Sequence, residues 1–165
     1  LSLNSMLKIK YKITLSLILL FSFLALFSAY FIQYALGHQP CNLCLIERIP
    51  FIMVIILISS CLFLNKFEKI LLIILSLIFF VTALISFYHF GIEQGFITES
   101  FVCELGIDSV VLTKEALLIE LEQRAISCKD VTFKIFGLSL ATINVFVTLL
   151  LSIITLRLYL NYEKN

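Results

Sequence analysis

Four long apolar stretches divide the chain, and the polar positions between them set its organisation. The first runs from Ile13 to about Leu36 without a charged residue, after Lys8, Lys10 and Lys12. Its 24 residues extend to roughly 36 Å as a helix, enough to cross a hydrocarbon core of about 30 Å with some tilt. A secretory leader also opens on basic residues, but its apolar part is shorter and closes on a small-residue cleavage site, which does not occur before Cys41. The stretch is therefore expected to stay as a span. The pattern as a whole predicts spans near residues 13–36, 41–64, 70–89 and 135–156 in a single integral-membrane domain. Pro50, early in the second span, removes a ladder hydrogen bond and crowds the carbonyl of Ile46, so a kink is expected there. Asn65 to Lys69 has the length of a link between antiparallel helices.

Between the third and fourth spans the pattern changes to a long polar loop over residues 90–134, which carries Glu93, Glu99, Cys103, Glu104, Asp108, Glu115, Glu120, Glu122 and Cys128. Within it Thr113 can cap a short helix with Leu117, Leu118, Leu121 and Ile126 near one face. That helix is expected to lie flat on the membrane surface, the competing reading being a loop helix packed on the bundle. The predicted fold class is an all-α membrane protein: an antiparallel four-helix transmembrane bundle with a long loop carrying a short amphipathic helix.

Composition agrees with this picture. The chain is 61% hydrophobic and 14% charged, with a mean hydropathy of +1.11, values foreign to a soluble globule. A net charge of +1, without a basic cluster interleaved with aromatics, sets nucleic-acid binding aside. Four spans put both termini on one side. The short segments there hold Lys8, Lys10, Lys12, Lys66, Lys69, Arg157 and Lys164 against Glu68 and Glu163, so that side is expected to be cytoplasmic. Cys41, Cys44, Cys103 and Cys128 then face outward.

The chemistry concentrates in Gln39-Pro40-Cys41-Asn42-Leu43-Cys44-Leu45-Ile46-Glu47-Arg48. Two thiols three positions apart can close a small disulfide. A helix starting near Pro40 would hold both in its first turn, where the positive end of the helix dipole favours a thiolate. Arg48, four residues after Cys44, shares its helix face and can hold a thiolate or a polar cofactor oxygen there. Four outward cysteines allow three pairings; proximity favours Cys41 with Cys44, which leaves Cys103 with Cys128. A loop of three residues gains little from chain entropy, so the first bond suits exchange better than bracing. Haem attachment needs histidine after the second cysteine, where Leu45 stands. A four-thiolate zinc site conflicts with an oxidising outer face, and no metal is expected. Cys61, inside a span, reads as a small buried hydrophobe.

These residues, with Phe87-Tyr88-His89-Phe90-Gly91 ahead of Cys103 and Cys128-Lys129-Asp130 leading to Phe136-Gly137-Leu138, resemble the DsbB family of bacterial disulfide bond formation proteins over nearly the whole chain. One departure is Phe133, where the family often has tryptophan. The resemblance implies a quinone-dependent oxidoreductase of the bacterial inner membrane, its active site facing the periplasm. It reoxidises a soluble DsbA-like thiol oxidase and passes the electrons to ubiquinone or menaquinone. On that view Cys103 is attacked by the partner, Cys128 is its loop mate, Cys41 exchanges with the loop pair, and Cys44 with Arg48 faces the quinone. Glu47 and His89 border the site. Gln33, polar within the first span, is read as an interhelical hydrogen bond ahead of a quinone contact. Two other readings compete. A vitamin K epoxide reductase-like bundle places its reactive pair later in the chain; a non-catalytic scaffold would hold disulfides that never exchange.

Overall fold

The computed structural model describes residues 3–64, 68–99, 103, 127–129, 133–135 and 137–163. The predicted helix after Thr113 lies outside them. Helix α1 is Leu3–Tyr34, α2 Asn42–Ile46, α3 Arg48–Leu64 and α4 Glu68–Glu93; strands β1 (Lys134–Ile135) and β2 (Leu138–Ser139) precede α5, Leu140–Glu163. Four helical stretches are long and apolar enough to cross a membrane: Ile9–Tyr34, Asn42–Phe63, Glu68–Glu93 and Leu140–Asn161.

Cross-helix pairs give the direction of each helix. Tyr11 meets Cys61 and Gln33 meets Arg48, so α1 and α3 run antiparallel. Ser76 meets Ser152 and Ser86 meets Asn144, so α4 and α5 do too. The core of the bundle includes Tyr11, Leu15, Val54, Ile58, Leu72, Leu75 and Phe79. Lipid supplies no hydrophobic drive for helix pairing, so the contact between α4 and α5 depends on close approach and hydroxyl bonding. Ser76, Thr82, Ser86, Thr148, Ser152 and Thr155 are all buried. The Ser76 and Ser152 hydroxyls each donate to the other residue's carbonyl, at 3.2 and 3.0 Å.

Two boundaries differ from the sequence expectation. Helix α4 continues to Glu93, because its stop signal is Gly95 at φ 76°, a left-handed position glycine adopts without strain. The N–H of Gly95 bonds the carbonyl of Ile92 at 3.0 Å and that of Phe96 the carbonyl of Gly91 at 2.9 Å, the paired bonds of a Schellman cap. At the other end of the loop, Lys134 and Ile135 pair antiparallel with Ser139 and Leu138 around Gly137, at φ 83°. The last helix therefore begins at Leu140 rather than near residue 135.

Candidate active site

Helix α2 begins at Asn42, with Cys41 as its N-cap in extended geometry, so the reactive turn starts two residues later than Pro40 would have placed it. The sulfur of Cys41 takes the capping role usually given to an oxygen: the Cys44 N–H donates to it at 3.2 Å. Cys41 and Cys44 are disulfide-bonded, with Cα atoms 5.1 Å apart. The kink expected at Pro50 is a full break at Glu47, between α2 and α3. Pro50 falls in the first turn of α3, where its missing N–H leaves no bond unmade.

The break places neighbouring charged residues in different environments. Glu47 is buried. One of its carboxylate oxygens accepts the Nδ1–H of His89 at 2.9 Å, and the other accepts from Asn144 Nδ2 at 2.9 Å. The Asn144 amide also donates to Ser86 at 2.8 Å. Arg48 donates to Gln33 Oε1 at 2.6 Å and lies over the Tyr30 ring, 4.9 Å from its centroid. Gln33 thus makes the interhelical hydrogen bond read from the sequence. The Glu47 carboxylate turns to His89 and Asn144 rather than to its neighbour Arg48.

His89 is 3% exposed. Its Nε2 lies 3.5 Å from Cys41 Sγ and 3.7 Å from Glu93 Oε1, one helical turn on. Glu93 closes a row Glu47–His89–Glu93 beside the disulfide. Its side chain is 6% exposed, and its Oε2 has no hydrogen-bond partner among the described residues.

Cys103 and Cys128 are disulfide-bonded, across 25 residues. Both are buried in one cluster with Cys41, Leu43 and Ile92, so the two bonds lie side by side at the same end of the bundle. Glu99 secures this arrangement, accepting from the Ser127 hydroxyl and from the Lys129 N–H at 3.0 Å.

A cavity of about 280 Å³ reaches this cluster. Cys41, Cys44, Glu47, Arg48, His89, Glu93 and Cys128 line its polar end; Phe21, Leu26, Phe51 and Val147 are among its apolar walls. His38 and Phe133 also line it, their rings tilted with centroids 5.3 Å apart. Of the residues predicted for the site, Cys103 is not on the cavity wall but joins it through its bond to Cys128. The sequence reading missed Asn144, His38 and Tyr30, and took Glu93 for a loop residue. Its spacing of four from His89 was the available signal.

Two comparisons with known proteins bear on these residues. The model of the family "Disulfide bond formation protein DsbB" matches residues 11–158. An uncharacterized protein of Rickettsia prowazekii (strain Madrid E) is 28% identical over 170 aligned positions, covering 99% of this chain and 96% of that relative. No solved structure matches.

Proposed function

We propose, because the chain belongs to the DsbB family of disulfide bond formation proteins, that it reoxidises a soluble DsbA-like thiol oxidase at the periplasmic face of the bacterial inner membrane and passes the electrons to membrane quinone. Family and spans together make it a multi-pass membrane oxidoreductase of disulfide formation. The observation that carries the finer reading is the burial of Cys41, Cys103 and Cys128 in one cluster on a cavity shared with Cys44 and Arg48.

A thiolate of the reduced partner attacks Cys103, forming a mixed disulfide and releasing Cys128 as thiolate. The partner's second thiolate then attacks its own sulfur in that mixed bond and leaves oxidised, with Cys103 and Cys128 both reduced. The loop dithiol reduces Cys41–Cys44 by the same two-step exchange, regaining its own bond. Cys41 and Cys44 now hold the two electrons, and Cys44 faces the cavity beside Arg48. The cavity fits a quinone by chemistry: apolar walls for ring and tail, and a guanidinium at the polar end for a carbonyl oxygen. A bound quinone supplies a two-electron, two-proton acceptor. Arg48 stabilises negative charge next to Cys44, and His89, held by Glu47, is placed to take a proton from Cys41.

The purified chain in detergent, given a reduced DsbA-like partner and a soluble quinone analogue, should oxidise the partner with one quinone consumed per disulfide made. A chain whose four outward cysteines never exchange with the partner would instead be the scaffold.

A further inference from the structure

We propose that the reduced form of this site is a zinc site, with Cys41, Cys44, His89 and Glu93 as its four ligands. Three of the donors, the two sulfurs and the His89 nitrogen, lie within 4.8 Å of one another. The two sulfurs follow the C-x-x-C spacing common to zinc sites. Ligand distances of about 2.0–2.3 Å in a tetrahedron separate neighbouring donors by roughly 3.3–3.8 Å. His89 Nε2 already stands at 3.5 Å from Cys41 Sγ and 3.7 Å from Glu93 Oε1. When the disulfide opens, rotation of the cysteine side chains brings the sulfurs to the same separation.

Two independent features point to an ion. The Glu93 side chain is buried to 6% exposure with Ser139 beside its carboxylate, and its Oε2 has no hydrogen-bond partner among the described residues, an arrangement that coordination by this carboxylate would relieve. His89 bonds Glu47 through Nδ1, and in the neutral ring this puts the Nε2 lone pair toward Cys41; a histidine whose other nitrogen donates to a carboxylate is the usual form of a metal-binding imidazole.

The oxidised site lacks thiolates and does not take the ion, so binding reports the redox state. When Zn²⁺ binds the reduced site, the two thiols lose two protons to solvent and the thiolates become its ligands, with no change of oxidation state of metal or sulfur. Its consequence for turnover rests on the proposed function: an ion held by Cys44 blocks electron transfer from that thiolate and traps the site reduced.

The test is a metal titration of the full chain in detergent, oxidised and after treatment with a phosphine reductant, with Co²⁺ as a spectroscopic probe and Zn²⁺ as its competitor. Reduced protein should bind one Co²⁺ with a thiolate-to-cobalt charge-transfer band, displaced by Zn²⁺, and oxidised protein none. Glu93→Gln should weaken binding at least tenfold, and Glu47→Gln about ten- to a hundredfold. No binding by reduced protein, equal binding by oxidised protein, or a titration indifferent to Glu93→Gln would overturn the proposal, the last by putting the ion on the loop thiols. Neither partner nor quinone enters the titration, so its failure and a failure of quinone turnover are separate results.

Discussion

The Nε2 atom of His89 lies 3.5 Å from the sulfur of Cys41, while the other ring nitrogen is committed to Glu47. An imidazole fixed on one side by a carboxylate and open to sulfur on the other suits proton transfer at that sulfur. Positioned general acid–base groups are worth about 10²–10⁴ in rate. His89→Ala should lower the rate of quinone-linked thiol oxidation about a hundredfold while both disulfides still form, as alkylation and gel mobility would report. An unchanged rate in a well-inserted variant would make His89 a packing residue.

Asn144 on α5 donates both to Glu47 and to Ser86 of α4, tying these two helices to the junction between α2 and α3. Asn144→Leu keeps the volume and removes the donor, leaving a buried carboxylate oxygen with one bond fewer. The expected loss is about 1–3 kcal/mol of stability, read as denaturant unfolding in detergent. Stability equal to the unaltered chain would mean that water or a shifted side chain replaces the amide.

The four spans, the paired cysteines and the arginine beyond them were legible, because length, apolar content and local spacing are properties of the chain alone. Helix rotation was not. Phe79 is 1% and Phe80 47% exposed, yet in lipid both outcomes suit phenylalanine, so an apolar face does not mark the interior as it would in water. The better signal lay in small hydroxyl residues: Thr148, Ser152 and Thr155 recur at helical spacing and are all buried. The contact of Asn144 with Glu47, 97 residues apart, left no local trace. Nor did the meeting of the two disulfides, which depends on the cap at Gly95 and on Glu99 holding residues 127 and 129.

Cys128 shares a buried cluster with Cys41, which puts the loop pair next to the cavity pair, as the proposed relay requires. Cys128→Ala should leave Cys103 joined to the partner in a mixed disulfide, resolved slowly, and visible as a reducible adduct on non-reducing gels. Normal quinone turnover by that variant would mean the loop pair is not an obligatory carrier.

The disulfide end and the Tyr11–Cys61 end of the bundle should lie on opposite sides of the membrane. Cysteine placed at Phe96, 82% exposed, should react with an impermeant maleimide added from the periplasm. Cysteine at Lys69, next to the start of α4, should react only after the membrane is opened. Labelling of the Lys69 position in intact cells would reverse the orientation read from the lysine distribution.

Arg48 has two duties available, and they separate experimentally. It bonds Gln33 across α1 and α3 at 2.6 Å and stacks on Tyr30, which would suffice for an anchor at the membrane boundary. It also lines the cavity with Cys44, where a planar fork of donors can hold a quinone oxygen beside a thiolate. Lysine keeps the charge and can snorkel, but it loses the fork and the stacking plane. Arg48→Lys should therefore insert and exchange disulfides with the partner while its apparent quinone affinity falls about tenfold, on the order of 1.4 kcal/mol. Gln33→Ala removes the interhelical bond without touching the guanidinium, and Gln33 does not line the cavity. If Arg48 acts on quinone, Gln33→Ala lowers stability with a smaller effect on quinone affinity than Arg48→Lys. Equal effects from the two variants, or unchanged quinone kinetics in Arg48→Lys, would reduce Arg48 to an anchor.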